Sequence, residues 1–222
     1  MKVILFGATG MIGAGTLIEC LADPRVSSLL VVGRSSCGIT NPKLREMIRS
    51  DLSNLDDIRS DLAGYDAVFF CLGVSAVGMT EDAYRRITRD LTVSVAQTIA
   101  AVNPNSTFCY ISGQGADSSE RGRTMWARVK GETENQLLKL PLKAFMLRPG
   151  YIQPLKGVRS RTNWYQIFYN IMGPFYPVIR RLAPGSVTNT AYVGRAMIQL
   201  GLSGYVKPIL ENPDINALAA RL

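Results

Sequence analysis

Seven residues near the start constrain this chain more than any other stretch: Gly7-Ala8-Thr9-Gly10-Met11-Ile12-Gly13. They follow the apolar run Val3 to Phe6 and lead directly into a helical pattern over residues 11–22. A strand that turns at once into a helix needs a residue without a Cβ at the turn, and Gly7 supplies it. Gly10 leaves the backbone bare where an anion would approach, and Gly13 lets the helix lie close to the strand. The first N–H groups of a helix lack partners within it, and its aligned peptide dipoles favour negative charge there. Such a mouth suits two linked phosphates. A glycine-rich turn without a ligand is the alternative reading. The missing Gly-Lys-Ser/Thr ending argues against a nucleotide-hydrolysing phosphate loop.

Beyond that loop, apolar runs and helical patterns alternate. Runs at 29–32, 67–72, 107–111 and 144–147 predict strands, and 44–48 predicts a weaker one because Arg45 and Glu46 interrupt it. Helices are expected over 80–101, 124–140 and 190–202. In the first of these, Thr80 is the expected N-cap, and Ala83, Ile87, Leu91, Val95 and Ile99 recur every four residues as one buried face. Residues 211–221 read as a closing capped turn.

This alternation implies an α/β, Rossmann-like, doubly wound parallel sheet with helices on both faces. Its ligand site should lie at the carboxyl ends of the strands. Residues 1–222 are expected to form a single domain, with about 151–222 contributing a small C-terminal substrate-side lobe. Within that lobe, residues 164–182 carry Trp164, Tyr165, Phe168, Tyr169, Phe175 and Tyr176 beside Arg180 and Arg181. Three readings stay open for this segment: a pocket wall, a contact between copies of the chain, and contact with a membrane surface.

Several chemistries are excluded by what is missing. The chain has no histidine, so it holds no Ser-His-Asp triad and no histidine-ligated zinc. Its four cysteines form no CxxC pair, so no metal site is expected. Reduced thiols are expected, and with them a cytoplasmic location. The opening MKVILFG reads as a strand rather than a secretory leader, and no long apolar run suggests a transmembrane segment. The net charge of +8 comes without any nucleic-acid-binding module, so an anionic small ligand is the simpler partner.

The second strand ends Val32-Gly33-Arg34-Ser35-Ser36. A carboxylate there would accept from an adenosine ribose and repel a 2′-phosphate. Arg34 instead offers a charged donor fork, and Ser35 and Ser36 add hydroxyls, which favours NADP(H), with NAD as the alternative. Asp51 and Leu52 are expected at the adenine amine and ring, although Asp51 is also placed to cap a helix near Asn54. Gly73 would let the adenosine lie against bare backbone.

Taken with Ser112, Lys130 and Arg148-Pro149-Gly150, these motifs resemble the short-chain dehydrogenase/reductase superfamily over about residues 1–155. The likeness is to its atypical and extended branch, the NAD(P)-binding epimerase/dehydratase-like proteins. The resemblance implies that Ser112 orients a substrate oxygen and that Lys130 holds the nicotinamide ribose. It also implies that Pro149 and Gly150 flank the nicotinamide, and that copies pair as a homodimer through long helices. The family's proton-transferring tyrosine stands four residues before the lysine, and that position is Trp126. An indole N–H donates a hydrogen bond but does not titrate near neutral pH. Tyr151, Tyr84, or Ser112 with a water are the substitutes in this chain. Asp117 is expected to stabilise its turn, with a substrate contact as the alternative. Three functions are compatible with these residues: an oxidoreductase acting on a small carbonyl or hydroxyl compound, a cofactor-binding redox sensor without turnover or substrate, and an epimerase or dehydratase.

Overall fold

A computed structural model describes residues 1–155, 181 and 184–221. Apart from Arg181, the aromatic-rich segment 164–182 therefore lies outside the described residues. The chain forms a seven-stranded sheet. In chain order the elements are β1 (Lys2–Phe6), α1 (Met11–Ala22), β2 (Ser28–Gly33), β3 (Leu44–Ile48), α2 (Arg59–Leu62) and β4 (Ala67–Phe70). A long helix comes next in three parts: α3 (Glu81–Arg85), a π turn (Arg86–Asp90) and α4 (Leu91–Val102). Then come β5 (Thr107–Ile111), α5 (Met125–Leu137), β6 (Lys143–Arg148), β7 (Tyr151–Gln153), β8 (Val187–Asn189), α6 (Thr190–Ser203), β9 (Ile209–Glu211) and α7 (Asn212–Ala219).

The sheet order is β3-β2-β1-β4-β5-β6-β9, and every pair in it is parallel. The order reverses at β1, so the carboxyl ends of β1 and β4 open a crevice there. Successive strand residues face opposite layers. Val3 and Leu5 pack with Leu17 of α1, Met197 of α6 and Leu218 of α7. Ile4 and Phe6 pack with Val95 and Ile99 of α4 and Leu137 of α5. Burial on both faces explains why the inner strands read as unbroken apolar runs. At the sheet edge, β3 is only partly covered, which accounts for Arg45 and Glu46 within it.

Two expectations need correction. Residues 211–221 are more than a turn: β9 pairs with β6, and Glu211 then starts α7 through a reciprocal capping box with Asp214. Three residues are too few for a strand pattern to stand out in sequence. The expected single buried face on residues 83–99 is also broken. Thr80 does cap α3, its hydroxyl accepting from the Ala83 N–H at 3.3 Å. The π turn then adds a residue to one helical turn and rotates α4 relative to α3. Thr88 and Thr92 take the inward positions, while Ile87 is 44% exposed.

Residues 184–221 build onto the main sheet. α6 lies against α1 because glycines face each other's helix: a Cβ at Gly15 would stand 2.6 Å from the Thr190 Cβ, and one at Gly194 would stand 3.0 Å from the Thr16 Cα. Arg195 and Glu19 close the contact with an ion pair at 2.9 Å.

Candidate functional site

The glycine loop has the geometry its spacing implies. Gly7 sits at φ +83°, and a Cβ there would meet the Cys71 carbonyl carbon at 2.7 Å. A Cβ at Gly13 would stand 2.0 Å from the Gly7 carbonyl oxygen, so only glycine lets α1 approach this closely. The Gly10 N–H donates to that same carbonyl at 2.9 Å and closes the turn. At the start of α1 no side chain caps the helix and the first turn holds no acid. The Met11 and Ile12 side chains pack toward the core, which leaves their backbone for an anion. Thr9 is half-buried beside them.

At the crevice a cavity of about 360 Å³ brings together Arg34, Asp51, Leu52 and Gly73, four of the residues singled out from sequence. A Cβ added at Gly73 would meet nothing within 4 Å, so this wall is open to a ligand. One oxygen of Asp51 accepts from the Ser53 N–H and hydroxyl at 2.8 and 2.7 Å, and these bonds hold its carboxyl below the usual range. Asp51 caps no helix; Asn54 serves the next turn, accepting from the Asp56 N–H at 2.8 Å. Ser36 is not free to meet a ligand, because its hydroxyl donates to Glu46 at 2.7 Å. The second Glu46 oxygen accepts from the Cys37 N–H at 2.7 Å. Ser35 is exposed beside Arg34 and outside the cavity lining. Sequence reasoning missed Arg86 and Ile87 of the π turn and Leu91 of α4 in this wall, since a π turn leaves no sequence signature.

The other end of the crevice centres on Ser112 and Lys130. The Ser112 hydroxyl is buried and has no hydrogen-bond partner among the described residues. Its backbone N–H donates to the Leu147 carbonyl at 2.8 Å, which fixes the residue beyond β5. Lys130, reaching across from α5, donates to the Ile111 carbonyl at 3.3 Å and to the Ser112 carbonyl. Its ammonium also lies 5.5 Å from the centre of the Tyr110 ring. Burial lowers the Lys130 pKa to about 8, and the Glu134 carboxylate one turn away pulls in the opposite sense.

Loop 112–122 is held by groups the motif did not include. Asp117 accepts from the Ser119 hydroxyl and the Gly122 N–H, both at 2.6 Å, so it is the expected turn-former. Next to Lys130, Gly131 is required by that loop, because a Cβ there would stand 1.7 Å from the Asp117 carbonyl oxygen. Gly150 has a packing reason of its own: its Cβ would stand 2.3 Å from the Ser186 carbonyl oxygen. Its N–H donates to Asn212 Oδ1 at 3.0 Å, and the Pro149 carbonyl accepts from the Gln114 N–H at 3.0 Å. Tyr151 is half-buried on β7 and donates its hydroxyl to Gln153 Oε1 at 2.8 Å. Tyr84 and Tyr110 are buried, and burial raises the Tyr110 pKa far above the usual range. No thiol is activated either: burial pushes Cys71 up to about 12, and burial followed by the Glu46 bond raises Cys37.

No family model matches the chain. Among curated proteins it is 26% identical over 209 residues to protein fmp52, mitochondrial, of Emericella nidulans, covering 90% of this chain and 87% of that one. It is 27% identical over 154 residues to protein HTATIP2 of Rattus norvegicus, covering 68% of this chain and 62% of the relative. Among solved structures it superposes on the Bordetella bronchiseptica enzyme WbmF in complex with NAD+, with a TM-score of 0.69 at 14% identity, over 99% of this chain and 76% of that one. These likenesses support the resemblance to the atypical short-chain dehydrogenase/reductase superfamily and the NAD-binding fold that goes with it.

The described residues offer a cradle that a nicotinamide dinucleotide would fit. The bare loop at Gly10, the cavity against Gly73 and the orphaned Ser112 hydroxyl follow the carboxyl ends of β1, β4 and β5, which are neighbours in the sheet. The chain departs from the superfamily pattern at Trp126, half-buried on α5 one turn before Lys130. The indole reaches Gly115 of the loop, where a Cβ would stand 3.5 Å from Trp126 Cη2.

Proposed function

We propose that the protein binds NADP(H) and acts as an oxidoreductase on a small carbonyl or hydroxyl compound. The observation that carries this reading is the buried Ser112 hydroxyl without a partner beside the Lys130 ammonium. A buried polar group is normally satisfied, and leaving one orphaned costs about 1–3 kcal/mol. A substrate oxygen would satisfy it and take its orientation from it. Lys130 is then placed to bind a ribose hydroxyl, and the N–H groups opening α1 to hold the diphosphate. Arg34 supports the 2′-phosphorylated cofactor, because it has no ion pair among the described residues. The dinucleotide supplies hydride chemistry when bound, and the chain supplies position and charge.

Trp126 favours a second reading, a cofactor-binding redox sensor without turnover. The two separate by experiment. Calorimetry should give tighter binding of NADPH than of NADH, and NADPH fluorescence should decay on adding a panel of small carbonyls. Tight binding without decay in the wild type supports the sensor. Gain of decay in Trp126→Tyr would then show that the missing proton donor is the cause. Equal or tighter NADH binding would refute the cofactor assignment.

Free thiols at Cys20, Cys37, Cys71 and Cys109 support a reducing compartment, and we place the protein in the cytoplasm. No helix among the described residues is long and apolar enough to cross a membrane. A homodimer through the long helices is proposed from the family likeness.

A further inference from the structure

We infer that the π turn Arg86–Asp90 sets cofactor preference, with Arg86 joining Arg34 to hold an adenosine 2′-phosphate and Ile87 lying against the adenosine. The inference rests on the NADP(H) reading above and adds residues the glycine-loop pattern does not contain.

Burial along the helix is inverted at this turn. Thr88 is 6% exposed and its hydroxyl has no partner among the described residues, while neighbouring Ile87 is 44% exposed. A helix governed by its core alone would put the isoleucine inward and the threonine outward. Ile87 of the π turn and Leu91 at the start of α4 line the cavity with Arg34, Asp51 and Gly73. π turns are rare and frequent at functional sites.

The charges point to the same ligand. Arg85 and Arg89 on this helix are tied to Glu132, at 2.9 and 3.2 Å. Arg86 and Arg34 line the cavity and have no ion pair among the described residues. The one carboxylate in the lining, Asp51, already accepts from Ser53. Two unpaired guanidinium groups around one cavity offer two donor forks to a dianionic phosphate. The neutral 2′-hydroxyl of NAD(H) would leave both unanswered.

The test uses adenosine fragments, so that turnover plays no part. Binding of 2′-AMP and 5′-AMP is measured by calorimetry on the wild type, Arg86→Gln and Arg86→Lys. The wild type should prefer 2′-AMP. Arg86→Gln should weaken 2′-AMP by about 10- to 100-fold, as expected for losing charge-assisted bonds. It should leave 5′-AMP within about two-fold, with Arg86→Lys intermediate. Because Arg86 is exposed, unchanged thermal melting is expected and keeps the comparison clean. Wild-type preference for 2′-AMP that survives in Arg86→Gln overturns the inference and leaves the NADP(H) reading standing. A wild type indifferent between the two nucleotides overturns both.

Discussion

Glu134→Gln probes the framework behind Lys130. Glu134 is fully buried, and Arg148, 12% exposed, meets both of its oxygens. Arg148 also donates to the Ser118 hydroxyl at 2.6 Å and pairs with half-exposed Glu211 at 3.3 Å. One pair thus joins α5, β6 and the loop over Ser112. The substitution keeps the side-chain shape and removes the charge, leaving a nearly buried guanidinium with its weaker partner. Breaking a buried pair costs about 3–5 kcal/mol, and the remaining Glu211 contact favours the lower end. At roughly 2–4 °C per kcal/mol for a chain of this size, melting should fall by about 6–12 °C. Glu211→Gln removes an exposed partner and should cost no more than about 1 kcal/mol. Denaturant unfolding of both variants, with Arg148→Met completing a double-mutant cycle, gives the coupling directly. A Glu134→Gln cost equal to that of Glu211→Gln, or a cycle without coupling, would refute the claim that burial makes this pair matter.

Four further outcomes are expected. Gly13→Ala puts a methyl 2.0 Å from the Gly7 carbonyl oxygen and should cost about 1–3 kcal/mol together with dinucleotide binding. Gly73→Ala has nothing within 4 Å of its new methyl and should weaken binding alone, so matching unfolding curves for the two variants would contradict the packing account. Asn212→Ala removes the acceptor of the Gly150 N–H and the donor to the Val187 carbonyl; an unfolding cost of about 2–3 kcal/mol and faster hydrogen exchange at Gly150 are the readouts. Lys130, lowered to about 8, loses its proton earlier in the folded than in the unfolded chain, which binds it up to about pH 10.4. The unfolded state holds more protons between those values, so stability should rise with pH across that window, and Lys130→Met should remove the rise. Parallel urea midpoints for wild type and variant from pH 7 to 10 would speak against it.

Local chemistry made much of this protein readable. The turn at Gly7, the close approach at Gly13 and the apolar runs of β1, β4 and β5 each depend on residues within one short stretch. Steric freedom and side-chain periodicity act at that range, so the parallel sheet could be expected from alternation and the phosphate mouth from spacing. Arg34, Asp51, Leu52 and Gly73 stand at strand ends in sequence and meet in one cavity for the same reason. Contacts between distant parts of the chain were not readable in this way. Residues 83–99 carry a clean four-residue repeat, yet Thr88 and Thr92 are buried in its place and Arg86 and Ile87 of the π turn stand in the cavity wall. The Arg148–Glu134 pair, the need for glycine at Gly131 and Gly150, and the pairing of β9 with β6 each join residues far apart in the chain. Their energies arise from burial and from charges brought together in the folded state. No neighbouring residue in the chain encodes either one.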